Sequence, residues 1–417
     1  MPEAFIPPAA ERDGFEVPTG AGPTGPRLAS ATEAPQIGGA SSHVERMRRL
    51  GALQGDTGLA DEYRFEAGSR AHHLASGHYT NPWLSAEEQA HRFSAVLRWS
   101  WDRLTKGTPK SPVAGHFRVV PNDVAHPRAP ADEVRLTWIG HSSFLIQAGG
   151  LNVLTDPVFS RRASPFQWLG PARFAEPGIS LDALPAIDAV LLSHDHYDHL
   201  DERAVRALHA RFGDALRWFT PLGYRPWFAR RGVTNVAELD WWEEAEMATG
   251  AGRARVVCLP AQHWTRRSPR STNTRLWSSF ALLTEGGRRI YDAADSGYFP
   301  GFAEIGRRYG PFDAALIPIG AYEPRWFMKP AHMNPEEAVQ TYRDLGERGV
   351  LAAMHWGTFR LTDEDPLEPP VRARAAWQDA GLPSADLWIP QHGQTIVVPP
   401  LSGSEKQERP TEAESVR

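Results

Sequence analysis

The sequence predicts an α/β protein, an αββα sandwich of two mixed β-sheets flanked by helices. Three observations lead there. Apolar strand patterns joined by tight turns dominate the first half of the folded region, as β-hairpins do. In the second half, short and nearly continuous apolar runs alternate with helical patterns, as in strands buried on both faces. Histidines and aspartates recur just after these runs, where a chain reaches the rim of a sheet.

The elements follow in order. Residues 1–60 (FIPPAAERDGFEVPTGAGPTGP and onward) are rich in Pro, Gly, Ala and Thr, and read as a disordered tail that buries too little apolar surface to offset ordering entropy. Residues 401–417 read the same way, which leaves one folded domain over 75–400. In LSAEEQAHRFSAVLRWSWDRL, Ser85 and Glu88 form a capping-box pattern, and Phe93, Leu97, Trp101 and Leu104 recur at helical spacing. This helical extension is expected to pack against a sheet or a second subunit, because its polar face is too mixed to favour lipid.

VRLTWIG alternates Val134, Leu136 and Trp138 with polar residues, and SFLIQAGG and LNVLTDP continue it as a hairpin turning at Gly149-Gly150. IDAVLLS is a buried strand, and Asp201 caps the helix after it, where Val205 and Leu208 keep the apolar stripe. RARVVCLPA, WSSFALLT, RRIYDAADSG, FDAALIPIG, GVLAAMHWG and GQTIVVPP are further strands. Between them, Asn334, Pro335 and Glu337 start a helix with a cap, a first-turn proline and a capping-box glutamate.

Composition narrows the function. The net charge of -5 gives no electrostatic reason to expect nucleic acid. The one cysteine, Cys258, excludes an intrachain disulfide and a thiolate zinc site. Residues 1–30 lack the pattern of a signal peptide, and no apolar run is long enough to span a bilayer. A cytoplasmic or peripherally membrane-associated protein is expected.

The stretch SHDHYDHLD carries the chemistry. His194, His196, Asp198 and His199 fall within six positions after a buried strand. Imidazole nitrogen and carboxylate oxygen suit zinc and similar divalent ions. His194 and His196, two apart on an extended turn, can converge on one ion, with Asp198 and His199 in reach of a second. His263, Asp295 and His355 follow later apolar strands. Six donors and one shared carboxylate make room for two close ions, and a water between them would ionise near neutral pH and act as nucleophile. His141, just after a strand, is placed to orient a ligand through its ring proton. His72, His73, His392 and the remaining histidines stand in no comparable cluster and are read as incidental.

These segments also carry a resemblance. HDHYDH matches the HxHxDH signature of the metallo-β-lactamase superfamily. WIGHSSFLI, LTDPVFS, LLSHDHYDHLD, PAQHWTRR, DSGYFPGF, IPIGAYEPRWFMKPAHMNPEEAVQ and HWGTF, with NPW at 81–83, resemble the N-acylphosphatidylethanolamine-hydrolysing phospholipase D family. The resemblance runs from 138 to 359, with its extension at 81–83. It implies two zinc ions, one held by His194, His196 and His263, the other by Asp198, His199 and His355, with Asp295 bridging. It further implies release of phosphatidic acid and an N-acylethanolamine from a phospholipid, and contact between His332 and the substrate phosphate. Ala331 stands where the family protein compared has Gln, which removes one polar contact.

The expected function is therefore a zinc-dependent phosphodiesterase of the phospholipase D type, with other divalent ions as alternatives to zinc. Its expected partners are a phospholipid or other phosphodiester substrate, a peripheral membrane contact and a second copy of the chain. A lactonase or a non-lipid phosphodiesterase on the same fold is the alternative reading; a metal-stapled binding protein is a weaker one, since a chain this long needs no metal to build a core. Arg325 and Lys329 are candidate phosphate contacts, and Trp264, Trp277 and Trp326 candidate walls of an apolar groove.

Overall fold

The computed structural model describes residues 69–401, apart from 90–92, 114, 123 and 125. The tails expected at 1–60 and 401–417 lie outside the described residues, except for Leu401. Two seven-stranded mixed sheets form the described fold. The first contains β1 (Val134–Gly140), β2 (Ser143–Ala148), β3 (Leu151–Thr155), β4 (Ala189–Leu191), β5 (Arg217–Pro221), β6 (Val236–Leu239) and β14 (Thr395–Val398), in the order β14-β1-β2-β3-β4-β5-β6. The second contains β7 (Glu244–Ala248), β8 (Arg253–Leu259), β9 (Ser279–Thr284), β10 (Arg289–Asp292), β11 (Ala314–Pro318), β12 (Val350–Met354) and β13 (Leu387–Trp388), in the order β13-β12-β11-β10-β9-β8-β7. Both follow one plan, with antiparallel pairs at one end and parallel pairs at the other.

Burial on both faces explains why the strands read as apolar runs. Phe144 and Ile146 of β2 and Val153 of β3 face the shared core, with Val256, Leu282 and Ile290 from the second sheet. Their neighbours Leu145 and Leu154 face outward and join Val190, Leu192 and Trp218 beneath Val205 and Leu208 of the helix Glu202–Phe212. Asp201 caps that helix as expected, its side chain accepting from the Arg203 amide.

Two expectations are corrected. The strand in IDAVLLS is only three residues long, and β5, β6, β7 and β13 escaped notice. In the helix Phe93–Lys106, the stripe of Leu97, Trp101 and Leu104 is exposed, which departs from packing on a sheet and leaves the stripe open to the second subunit that was the other expectation. A different face holds the helix down. Trp99 stacks on Phe327 and donates to Asp363, and Arg103 pairs with the same carboxylate.

The helix Pro335–Asp344 starts as its sequence predicts. Asn334 accepts from the Glu337 amide at 2.9 Å, and Glu337 accepts from the Asn334 amide at 3.0 Å. Replacing Asn334 by Ala should therefore lower stability by about 1 kcal/mol, read from the denaturation midpoint. An unchanged midpoint would show that the cap contributes nothing.

Candidate metal centre

Strand direction brings the donors together. β1, β3 and β4 run the same way, so His141, Asp156 and His194 leave the first sheet at one rim. β8, β10 and β12 are likewise co-directional and deliver His263, Asp295 and His355 at one rim of the second sheet. The His355 amide donates to the His141 carbonyl at 3.1 Å, which joins the two rims. His141, Asp156 and His355 all have positive φ (57°, 30° and 59°), a backbone region that costs L-residues energy and that concentrates at functional sites.

At this rim His194 Nε2 lies 2.9 Å from His196 Nδ1, and His263 Nε2 lies 3.2 Å from the same atom. Beside them, Asp198 Oδ2 is 3.5 Å from His199 Nε2 and 3.7 Å from His355 Nε2. Asp295 lies between the groups. Its Oδ2 is 3.1 Å from His199 Nε2, 3.8 Å from His263 Nε2 and 3.9 Å from His194 Nε2, and its Oδ1 is 3.1 Å from His355 Nε2. The seven side chains predicted as ligands thus converge on one place. His141 Nε2 stands 3.0 Å from Asp198 Oδ2, and His332 Nδ1 stands 4.0 Å from Asp295 Oδ2.

The surroundings fix which ring atoms face inward. His199 Nδ1 is 2.7 Å from Asp156 Oδ2, which leaves Nε2 for the centre. His194 Nδ1 meets Ser193 Oγ at 2.9 Å, and His263 Nδ1 meets the Ala331 carbonyl at 3.0 Å. NPW supports the His263 turn: Asn81 Nδ2 donates to the His263 carbonyl and Trp83 Nε1 to Gln262 Oε1, each at 2.8 Å. Asp156 is the residue the sequence reading missed. Its signal was its place directly after a buried strand, like the other donors.

The electrostatics suit cations. Burial pushes His196 and His263 down to about 3, so both rings are neutral and carry a free lone pair at neutral pH. Burial would raise the Asp295 carboxyl, but His199 and His355 hold it well below the usual carboxylate range. Burial likewise depresses His355, yet Asp295 overrides it and lifts the ring to about 9. Positive charge is therefore favoured beside the Asp295 carboxylate. His199 Nε2, His355 Nε2 and Asp295 Oδ1 are buried, and beyond the ion-pair approaches at 3.1 Å within the cluster they have no well-formed hydrogen bond. Donor chemistry, spacing and these unsatisfied inward-facing atoms all fit divalent ions.

One further cluster exists where the sequence reading saw only incidental histidines. His72 Nε2 and His73 Nε2 lie 2.6 Å and 2.8 Å from the two oxygens of Asp240. Each oxygen already has its own imidazole partner, so hydrogen bonding accounts for this group without an ion. His392, also read as incidental, is buried against Trp138 and Thr358. Arg325 is not aimed at the centre: it grips both oxygens of Glu337 and the His332 carbonyl. Lys329 is exposed. Trp277 belongs to the core, Trp326 is partly exposed under the Arg98 guanidinium, and Trp264 stands edge-on to His196 at 4.6 Å.

An αββα sandwich with a histidine–aspartate centre at the rim of both sheets defines a metal-binding hydrolase. The description of a β-lactamase superfamily domain matches residues 151–356. Over 240 residues the chain is 42% identical to N-acyl-phosphatidylethanolamine-hydrolyzing phospholipase D 1 of Caenorhabditis elegans, covering 56% of this chain and 67% of that protein. It is 35% identical to the mitochondrial N-acyl-phosphatidylethanolamine-hydrolyzing phospholipase D of Saccharomyces cerevisiae, covering 62% and 55%. The fold also matches the crystal structure of an isothiocyanate hydrolase from Delia radicum gut bacteria, with a TM-score of 0.50, 19% identity and coverage of 63% and 98%. The chain belongs to the metallo-β-lactamase superfamily and is homologous to its N-acylphosphatidylethanolamine-hydrolysing phospholipases D. No helix among the described residues is long and apolar enough to cross a membrane.

Elemental analysis of the purified protein should find about two divalent ions per chain, and Asp240→Asn should leave that number unchanged. Metal-free protein with full activity would defeat the metal assignment.

Proposed function

We propose that the chain hydrolyses the headgroup phosphodiester of N-acylphosphatidylethanolamine, or of a closely related glycerophospholipid, to phosphatidic acid and an N-acylethanolamine. The observation that carries this reading is the buried Asp295 carboxylate surrounded by inward-facing imidazoles. The 42% identity to a relative named for N-acyl-phosphatidylethanolamine hydrolysis supports this substrate class. Two zinc ions are the proposed occupants, one held by His194, His196 and His263 and the other by Asp198, His199 and His355, with Asp295 shared. Such ions lower the pKa of bound water and polarise phosphoryl oxygens.

The chain's own residues do the rest. Asp156 and the Ala331 carbonyl hold His199 and His263 in the tautomers that present Nε2. His141 steadies Asp198. His332, at the edge of the centre, is depressed to about 3 by burial, so it meets a phosphoryl oxygen as a neutral hydrogen-bond donor and not as a counter-ion. Ala331 contributes its backbone carbonyl to His263, a bond that does not depend on the side chain at that position. In the net reaction, water adds hydroxyl to phosphorus and its proton leaves with the N-acylethanolamine oxygen.

Asp295→Asn keeps the shape but removes the shared charge. Activity should fall by well over about a hundredfold, more than a change at a residue that merely orients a ligand would cause. A rate near that of the unaltered protein would refute the shared-carboxylate role. Substrate class is tested by a panel of N-acylphosphatidylethanolamine, phosphatidylcholine, a soluble bis-aryl phosphodiester, a sugar-phosphate lactone and a β-lactam, each with and without chelator. The first should be turned over fastest, with release of N-acylethanolamine. Phosphodiester turnover without lipid preference would discard the lipid substrate, and turnover of the lactone alone would discard the phosphodiesterase.

A further inference from the structure

A second cavity, with a different lining, lies beside the metal centre. Tyr197, in the chain between His196 and Asp198, lines a cavity of about 540 Å³ whose wall contains none of the seven candidate metal ligands. Six arginines line it: Arg162, Arg203, Arg206, Arg231, Arg267 and Arg275. They come from separate parts of the chain, so the concentration is a property of the fold. The wall contains only two carboxylates, Asp201 and Glu202, and a third, Asp195, sits behind it.

These carboxylates do not balance the arginines. Glu202 is shared between Arg206, at 2.9 Å, and Arg231, at 2.6 Å. Asp195 pairs with Arg275 at 2.6 Å. Asp201 spends its oxygens on the amides of Phe159, Ser160 and Arg203 and on the Ser160 hydroxyl. Arg267 lies over the Tyr197 ring and donates to the Asp195 backbone carbonyl, and burial disfavours its charged form. Arg162 Nε and Arg231 Nε are buried with no hydrogen-bond partner. Six guanidinium groups against three carboxylates leave room for an anion with two charges and several acceptor oxygens, the chemistry of a phosphate monoester.

A separate observation indicates where that phosphate comes from. Ser164, Pro165 and Gln167 line the cavity, and the same loop exposes Phe166 (52%), Trp168 (76%) and Leu169 (57%). Three large apolar side chains on one exposed turn beside a cationic cavity suit a lipid surface, where the side chains enter the acyl boundary and the cavity meets the headgroup.

We propose that this arginine-lined cavity binds the phosphate monoester headgroup of an anionic lipid, with Phe166, Trp168 and Leu169 inserted beside it. The site does not depend on the proposed reaction, since a chain with a different substrate could use it equally well.

The test uses full-length Asp295→Asn protein, so that turnover does not alter the lipid, and measures co-sedimentation with vesicles. Binding to phosphatidylcholine vesicles containing phosphatidic acid should exceed binding to phosphatidylcholine alone and to vesicles of equal charge made with phosphatidylserine. Arg203→Gln combined with Arg206→Gln changes two exposed positions and should weaken the phosphatidic acid binding by about tenfold or more. Trp168→Ser should weaken binding by a similar factor while leaving the denaturation midpoint unchanged. Equal binding to all vesicles, or phosphatidic acid binding indifferent to the arginine changes, would overturn the proposal. Calorimetry with sn-glycerol 3-phosphate separates the sources: arginine-dependent binding of this soluble monoester without vesicle binding would overturn the lipid assignment.

Discussion

The structure turns on one buried carboxylate. Asp295 is almost wholly withdrawn from solvent and is surrounded by imidazole nitrogens 3.1 to 4.0 Å from its oxygens. Burying a charge costs several kcal/mol unless it is compensated. The imidazoles also crowd one another: His194, His196 and His263 point ring nitrogens together at 2.9 and 3.2 Å. With neutral rings, His194 Nε2 and His263 Nε2 are both acceptors and compete for the single proton that His196 Nδ1 can carry. Cations relieve both problems at once, which is why the arrangement makes sense as a metal centre and not as a hydrogen-bonded core.

The rest of the fold serves that constraint. Two sheets built on one plan present co-directional strand ends at a common rim, so a few short turns supply every donor. The turns are held from behind by Asp156, Ser193, the Ala331 carbonyl and the Asn81–His263 bond. Left-handed backbone falls at His141, Asp156 and His355, each directly after a packed strand, β1, β3 and β12, that fixes where the turn begins.

Much of this was legible in the sequence, for physical reasons. Strands covered on both faces must be apolar throughout, so IDAVLLS, FDAALIPIG and GVLAAMHWG announced themselves, and the donors after them were found by position. Burial was also the source of the errors. β7 (EAEMA) is a polar edge strand with little to bury, and β13 has only two residues. The stripe of Leu97, Trp101 and Leu104 has helical spacing, yet Trp99 on another face makes the tertiary contacts. His72 meets Asp240 across 168 positions, and the arginine cavity draws on segments far apart in the chain; no local pattern encodes either. Asp156 differs: it sits directly after a strand like the other donors, but its partners His199 and Ser193 lie 43 and 37 positions away, outside any motif spacing.

The central claim is that divalent ions occupy the space around Asp295. Anomalous diffraction from crystals of the metal-loaded protein, collected at the zinc absorption edge, tests it most directly. The account predicts two peaks, one among His194, His196 and His263 and one among Asp198, His199 and His355, with Asp295 between them. Peaks at His72, His73 and Asp240 with none beside Asp295 would contradict it.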